Sequence, residues 1–132
     1  MALTDQCKSF QNTVGEYLVR HRSILDTLSK FQESSSRVNR ATIKAVTTCG
    51  CVKIEAKKLT IPESMLIEDY KALASSHISG MICEHCKEII ESELGNHLFY
   101  LAAICELLDL SMHEVMEKEK TRVATLGYFK MS

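Results

Sequence analysis

Four cysteines in two close pairs are the residues of this chain best suited to chemistry. The first pair flanks a single glycine in Cys49-Gly50-Cys51, and the second pair is the Cys83 and Cys86 of "CEHC". Short spacers place two sulfurs on one side of a metal ion, and two such pairs complete a tetrahedral thiolate shell. The spacing therefore predicts a zinc site with four ligands, Cys49, Cys51, Cys83 and Cys86.

Other uses of these thiols stay open at the level of sequence: a redox-active disulfide, four thiols without metal, or an iron–sulfur cluster. His77 and His85 lie close to the second pair and could replace one sulfur. Four protein ligands leave no open coordination position for water. A zinc ion here is therefore expected to stabilise the fold and not to catalyse a reaction.

A second group of candidate residues is acidic and surrounds the second cysteine pair. Glu84, Glu88 and Glu91 recur at helical spacing and share one helix face, and Glu93 follows them. Glu88 and Glu91 are close enough to share one hard cation such as Mg²⁺, which prefers oxygen ligands. The simpler interpretation is a charged helix start, where acidic residues interact favourably with the helix dipole.

A third group is basic and lies in "RVNRATIKAV". Arg37, Arg40 and Lys44 fall on one side of the predicted helix. Such a row is either a solvated basic face or a surface that binds phosphate or carboxylate groups.

Helices must position most of these residues. Apolar residues repeat in a heptad pattern over residues 3–31, which predicts one long helix with a packed seam. The serines of "ESSSR" then predict a break and the N-cap of a second helix that ends near Thr48. Residues 49–61 are predicted to form an irregular insert, with "VKI" as a possible short strand.

The second half of the chain is predicted to be helical as well. Pro62 suits the first turn of a third helix that runs to about His77. A fourth helix is predicted from "CEHC" to about Leu108, and Cys105 in it is predicted to be a small core residue. Ser111-x-x-Glu114 is a capping box that begins the last helix. The prediction is a single all-α domain over residues 1–132.

Composition excludes several classes of partner. The 132 residues carry a formal net charge of −1, which gives no general electrostatic basis for binding nucleic acid or membranes. No apolar run reaches the ~20 residues that span a bilayer. The start of the chain lacks a signal-peptide pattern, so a cytoplasmic location with reduced or metal-bound thiols is expected. The long heptad seam predicts apolar faces that two copies share in a homodimer.

The stretch "EIIESELGNHLFYLAAICELLDLSMHEVMEKEKTR" resembles the MazG-like nucleotide pyrophosphohydrolase family, and the resemblance covers residues 84–122. That family has a pattern like E-(L/I)-G-D-x-L-F-x-L, and "ELGNHLFYL" follows it from Glu93 to Leu101. The resemblance implies a MazG-like helical bundle. It also implies hydrolysis of nucleoside triphosphates to monophosphate and pyrophosphate, with Mg²⁺ held by carboxylates from two helices.

Two departures from the family pattern alter what the resemblance implies. Asn96 stands where the family has an aspartate, and an amide oxygen brings no charge to a cation. Arg37 and Arg40 lie on the helix expected to carry the family's Glu-x-x-Glu. The candidate Mg²⁺ ligands are Glu88, Glu91, Glu93 and Asn96, and the candidate phosphate-binding residues are Arg37, Arg40 and Lys44.

The function predicted from the sequence is therefore a nucleotide-binding protein or nucleotide pyrophosphohydrolase with an altered metal site and a structural zinc knuckle. An Arg–Glu network that replaces the metal fits the same residues. The alternative is a non-catalytic, zinc-stapled helical dimer that acts as a protein-interaction module.

Overall fold

The fold comes from a computed structural model and is described for residues 3–19, 22–60, 62–64, 66, 69 and 73–127. Its elements are α1 (Leu3–Tyr17), α2 (Ile24–Lys44), a π-helical turn (Ala45–Cys49), β1 (Val52–Ile54), β2 (Ile78–Gly80), α3 (Glu84–Leu107) and α4 (Met112–Leu126). The described chain is thus mostly helical, with one small two-stranded sheet. None of the described helices is long and apolar enough to cross a membrane.

The prediction of one long helix over residues 3–31 is wrong. α1 ends at Tyr17, and α2 begins at Ile24 after Ser23, whose extended backbone and carbonyl start the new helix. Leu18 is non-helical and almost wholly buried in the core. The heptad pattern reports which side chains face inward, but it does not require that the backbone between them stay helical. His21, which interrupts the pattern, lies outside the described residues.

The predicted break at "ESSSR" is also wrong, because these serines lie inside α2. Ser36 Oγ donates to the carbonyl of Gln32, and Ser34 Oγ donates to the carbonyl of Phe31. A serine that bonds to the preceding turn in this way is accommodated within a helix instead of capping a new one. Ser34 is buried and also contacts His97 Nδ1 at 2.8 Å, so the helix continues where the sequence predicts a loop.

Ten of the sixteen residues in the predicted helix over residues 62–77 are described, and residues 62–64 and 66 among them are not helical, so the predicted start at Pro62 is wrong. Within the described part, Asp69 and Leu73 are helical but residues 74–77 are not, so the predicted end near His77 is wrong. His77 has a positive φ of 60°, and its Nδ1 accepts a hydrogen bond from the Lys57 amide. The loop before β2 therefore uses His77 for a local contact. Of the predicted insert, residues 52–54 form β1 and Cys49 belongs to the π-helical turn.

The remaining two helices agree with the sequence. α3 begins directly after Cys83, and α4 begins after Ser111, whose Oγ accepts a hydrogen bond from the Glu114 amide at 3.2 Å. Cys105 is buried in the core, as predicted. The all-α prediction is confirmed at this level, while the finer assignment to a MazG-like bundle stays a proposal.

α3 is the central helix, because both α1 and α2 pack against it. α2 runs antiparallel to α3: Phe31 stacks on His97, and Arg37 further along α2 approaches Glu93 earlier in α3. α1 covers the second half of α3. The buried apolar residues of this core are Val14, Leu18, Ala102, Ala103, Cys105 and Met112.

A buried glutamine joins α1 to the turn between α3 and α4. Gln11 Nε2 donates to Glu106 Oε1 at 2.9 Å and to the Leu110 carbonyl at 2.7 Å, and its Oε1 accepts from the Met112 amide at 2.7 Å. A buried polar group is tolerated when its donors and acceptors are all paired. Gln11 thereby holds the last two helices in place relative to α1.

Candidate metal centre and basic groove

A two-stranded ribbon brings the two cysteine pairs together. β1 and β2 are antiparallel, with Val52 opposite Gly80. Cys51 directly precedes β1 and Cys83 follows closely after β2, so pairing of the strands places the two cysteines at the same end. Gly80 has a φ of 85°, and a Cβ on it would lie 2.6 Å from the Cys51 carbonyl oxygen. Any residue other than glycine would therefore strain the ribbon at this position.

α2 continues into a wider π-helical turn, and the first cysteine pair lies at the end of this turn. The Gly50 amide donates to the Ala45 carbonyl at 2.9 Å, which is the five-residue hydrogen bond of a π-helical turn. Gly50 then adopts a left-handed φ of 80°, which glycine takes without a steric cost. This turn directs Cys51 back toward the helix end, where its Sγ lies 3.8 Å from the Ala45 carbonyl.

The four thiols converge as predicted. The sulfurs of Cys49, Cys51, Cys83 and Cys86 all lie within 4.8 Å of one another, and the Cys49 and Cys83 sulfurs are 3.8 Å apart. A Zn–S bond of about 2.3 Å in a tetrahedron separates neighbouring sulfurs by about 3.8 Å. All four are free thiols. Neither His77 nor His85 belongs to this cluster, so among the described residues the donor set is four sulfurs.

Hydrogen bonds and burial give the four thiols unequal acidity. The Cys86 amide donates to Cys83 Sγ at 3.4 Å, and this bond lowers the pKa of Cys83 to about 7. The interaction with Cys83, together with burial, raises the pKa of Cys86 to about 12. Negative charge on one sulfur thus opposes ionisation of its neighbour. A cation at the centre removes this conflict, because it is bound by thiolates.

Beside the cluster, α2 and α3 form the walls of a groove of about 510 Å³. All three residues of the predicted basic row line it, together with an acidic residue from each helix. The lining residues include Glu33, Arg37, Arg40, Lys44, Ile89 and Glu93. The basic row therefore faces α3, and it lies next to the glutamate that carries the family resemblance.

Arg37 lies between two glutamates in this groove. Its Nε is 3.4 Å from Glu33 Oε1, and one of its terminal nitrogens is 4.0 Å from Glu93 Oε1. The other oxygen of Glu93, Oε2, is buried and has no hydrogen-bond partner. An unpaired buried oxygen is costly, and such an atom marks a place where a ligand or ion can bind.

Sequence analysis missed Glu33, although it lies one helical turn before Arg37. It is exposed, and its pKa is lowered, first by a hydrogen bond from Lys30 at 3.2 Å and then by the positive charges of Lys30 and Arg37. The spacing of four residues between Glu33 and Arg37 would have predicted that they form an ion pair on one helix. The predicted helix break at "ESSSR" concealed it, because the two residues were assigned to different elements.

The other candidate Mg²⁺ ligands have surroundings that differ from those of Glu93. Asn96 lines a smaller adjoining cavity of about 140 Å³ that also includes Glu33 and Arg37. Glu88 and Glu91 are exposed, and Glu91 pairs with Lys87 at 3.9 Å. In the part of the chain that the structure describes, the cysteine cluster is the one group of three or more potential metal ligands.

Comparison with protein-family models, with curated proteins and with solved structures returned no match. The MazG-like resemblance, the cytoplasmic location and the homodimer therefore stay predictions.

Proposed function

We propose that this chain is a MazG-like protein that binds nucleoside triphosphates through their phosphates in the groove between α2 and α3. The observation that carries the proposal is the row of Arg37, Arg40 and Lys44 along that groove, opposite Glu93 with its unpaired buried oxygen. Zinc bound by the four cysteines supports the groove, and hydrolysis to monophosphate and pyrophosphate is the reaction proposed for the bound nucleotide.

The basic row suits a chain of phosphates. Arginine forms paired hydrogen bonds with phosphate oxygens, and lysine adds a flexible point charge. Arg37 and Lys44 are separated along the helix axis by about 10 Å, at about 1.5 Å per residue, so the row can contact more than one phosphate group. Arg37 is 57% exposed, and its head group can turn from Glu93 toward a ligand.

Two carboxylates from different helices fit the cation that accompanies a nucleotide. Glu33 from α2 and Glu93 from α3 would hold Mg²⁺, which prefers oxygen ligands and retains several waters. The bound ion supplies neutralisation of the charge on the phosphate oxygens. Glu93 is only 24% exposed and has an oxygen without a partner, so its environment suits a cation better than solvent.

The zinc proposal gives the ion a structural role. The four-sulfur set is closed, so it offers no coordination position to a substrate or to water. It joins the end of α2 to the start of α3, and these are the two helices that form the groove walls. Zinc is therefore expected to fix the spacing of Lys44 and Ile89 across the groove.

Binding tests the proposal directly. Titration calorimetry of zinc-loaded protein with ATP and Mg²⁺ is expected to show saturable binding. Arg40→Ala and Lys44→Ala are each expected to weaken this binding by a factor of about 10 to 100, because a hydrogen bond to a charged group contributes on the order of 1.5–3 kcal/mol. Arg122→Ala, in α4 and outside the groove, is the matched control. Unchanged affinity in both groove variants would rule out this site.

Hydrolysis is tested separately, by pyrophosphate release from each nucleoside triphosphate with Mg²⁺ or Mn²⁺. Release that depends on Glu33 and Glu93, and disappears in Glu93→Ala, supports an enzyme. If the wild-type protein releases no more pyrophosphate than Glu93→Ala, the groove binds nucleotides without cleaving them.

A second candidate function is a protein-interaction module, and an uncovered apolar surface on α3 favours it. Leu94 and Leu98 are each 45% exposed and lie one turn apart on α3. They continue the row that α1 covers at Leu101 and Cys105. Exposed apolar residues arranged in a row are typical of a protein–protein contact.

A further inference from the structure

A second cavity lies between the basic groove and the zinc knuckle. Its volume is about 210 Å³, and it is enclosed by the end of α2, the π-helical turn and the start of α3. Ala41, Ala45 and Ile89 make its walls apolar, and Thr48 and His85 place polar groups at it. Cavities that combine apolar walls with a few polar groups are typical of sites for small organic ligands.

This cavity adjoins the basic groove. Ala41, Lys44 and Ile89 line both spaces. A ligand with a charged end and an apolar end can therefore extend from one into the other, with Lys44 beside the junction. Inorganic polyphosphate has no apolar part and would leave the cavity without a ligand.

We propose that this cavity holds the base of a nucleotide whose phosphates lie along Arg37, Arg40 and Lys44. The inference rests on the proposed function, and it adds the place in the fold where the base of the nucleotide binds. The small side chains of Ala41 and Ala45 leave space for a flat ring against Ile89. The Thr48 hydroxyl and the His85 imidazole supply the hydrogen-bonding groups that the edge of a heterocyclic base needs.

The zinc knuckle forms one wall of the same cavity, because Cys49 and Cys86 line it. The four-sulfur cluster thus shapes the space for the base, while the basic row lies further along α2. The cavity beside the zinc knuckle is therefore expected to distinguish a nucleotide from tripolyphosphate. The basic residues Arg37, Arg40 and Lys44 are expected to attract the phosphates of both ligands.

The test compares two nucleotides with inorganic tripolyphosphate, and all three ligands carry a chain of three phosphates. Zinc-loaded protein is titrated with ATP, with CTP and with inorganic tripolyphosphate, all with Mg²⁺. The wild-type protein is expected to bind a nucleotide at least about tenfold more tightly than tripolyphosphate, since burial of a ring adds a favourable apolar contribution. Thr48→Phe fills the cavity and is expected to remove this difference, with the dissociation constant for tripolyphosphate unchanged.

Two further variants keep the test decisive. Thr47→Phe, in the same turn but outside the cavity, is the matched control and should retain the preference. His85 lines the cavity from α3 and not from the π-helical turn. His85→Ala should therefore lower the affinity for nucleotides but not for tripolyphosphate, even if Thr48→Phe disturbs the turn. Equal binding of nucleotide and tripolyphosphate by the wild type, or no selective loss in His85→Ala, overturns the base site and leaves phosphate binding intact. Binding of neither ligand overturns the proposed function, and the base site with it.

Discussion

At the scale of the residue, Cys83 links the start of α3 to the chemistry of the thiol cluster. Its sulfur accepts the Cys86 amide as the N-cap of the helix and lies 3.8 Å from the sulfur of Cys49. A thiolate is stabilised at a helix N-terminus by amide donors and by the helix dipole. Among the four thiols, Cys83 is thus the one best prepared to bind a metal ion.

The acidity of Cys83 predicts how zinc binding depends on pH. A thiol must lose its proton before it binds zinc, so each protonated ligand releases one proton. The pKa of Cys83 is about 7, below its ordinary value. Below that pH Cys83 is protonated and releases its proton when zinc binds, whereas above it the residue is already a thiolate. Proton release per zinc should therefore fall by about one as pH rises from 6 to 8.

Calorimetry in two buffers of different ionisation enthalpy measures the released protons, and the same titration gives the stoichiometry, expected as one zinc per chain. Cys83→Ser should abolish binding at this stoichiometry. Cys105→Ala, which changes a buried core thiol outside the cluster, is the control and should still bind zinc. Proton release that is constant between pH 6 and pH 8 would contradict the assignment of this pKa to a ligand.

The candidate residues differ in how far their placement follows from the sequence. The cysteine pairs have short spacers, so the two sulfurs of each pair are close together because of local structure alone. Only the contact between the two pairs, which are far apart in sequence, had to be inferred. The basic row follows from helical periodicity within one helix. The position of Glu33 beside Arg37 and Glu93 depends on how α2 packs on α3, and local sequence does not contain that information.

At the scale of the element, the ribbon of β1 and β2 determines whether the thiol cluster can close. Gly80→Ala is expected to weaken zinc binding and to lower the free energy of unfolding. The new Cβ would lie 2.6 Å from the Cys51 carbonyl oxygen, and the φ of 85° is itself unfavourable for alanine. A left-handed backbone costs a residue other than glycine about 1–2 kcal/mol, and the contact with backbone adds to this cost.

Two glycine variants separate these causes. Gly50 also has a φ of 80°, but nothing lies within 4 Å of a Cβ placed there, so Gly50→Ala should show the backbone cost alone. Gly95 lies inside α3 with open space around it, and Gly95→Ala should stabilise the protein by about 0.5–1 kcal/mol. Thermal unfolding and zinc titration of all three variants measure how strongly each change affects stability and zinc affinity, and Gly80→Ala is expected to have the largest destabilising effect. Equal effects of Gly80→Ala and Gly50→Ala would show that the close approach to Cys51 does not matter.

The boundaries of helices were predicted well where a capping residue marks them and poorly where tertiary packing determines them. The N-cap at Ser111 and the start of α3 at the second cysteine pair were predicted correctly. The break after Tyr17 was not, because the seam of apolar residues continues through it. The serines of α2 favour caps in isolation, but the packing of Ser34 against His97 keeps them inside a helix.

At the scale of the whole molecule, the described chain buries few large apolar side chains for its length. α1 begins to cover α3 only near Phe99, so the earlier part of the same apolar row faces solvent at Leu94 and Leu98. α4 likewise exposes Val115, Met116 and Val123 to a substantial degree. Exposed apolar residues of this kind are what a second copy of the chain could cover.

The predicted homodimer is therefore expected to form through the first half of α3. Charged substitutions there should prevent dimerisation, whereas a charged substitution elsewhere on the surface should not. Sedimentation of the wild-type protein is expected to give the mass of a dimer. A double change, Leu94→Glu and Leu98→Glu, should give a monomer, because charges buried in an apolar contact lose their hydration. Ile43→Glu on α2, which is also exposed, is the control and should stay dimeric. A wild-type monomer at micromolar concentration, or a dimer that survives the double change, would mean that this row is not the contact between copies.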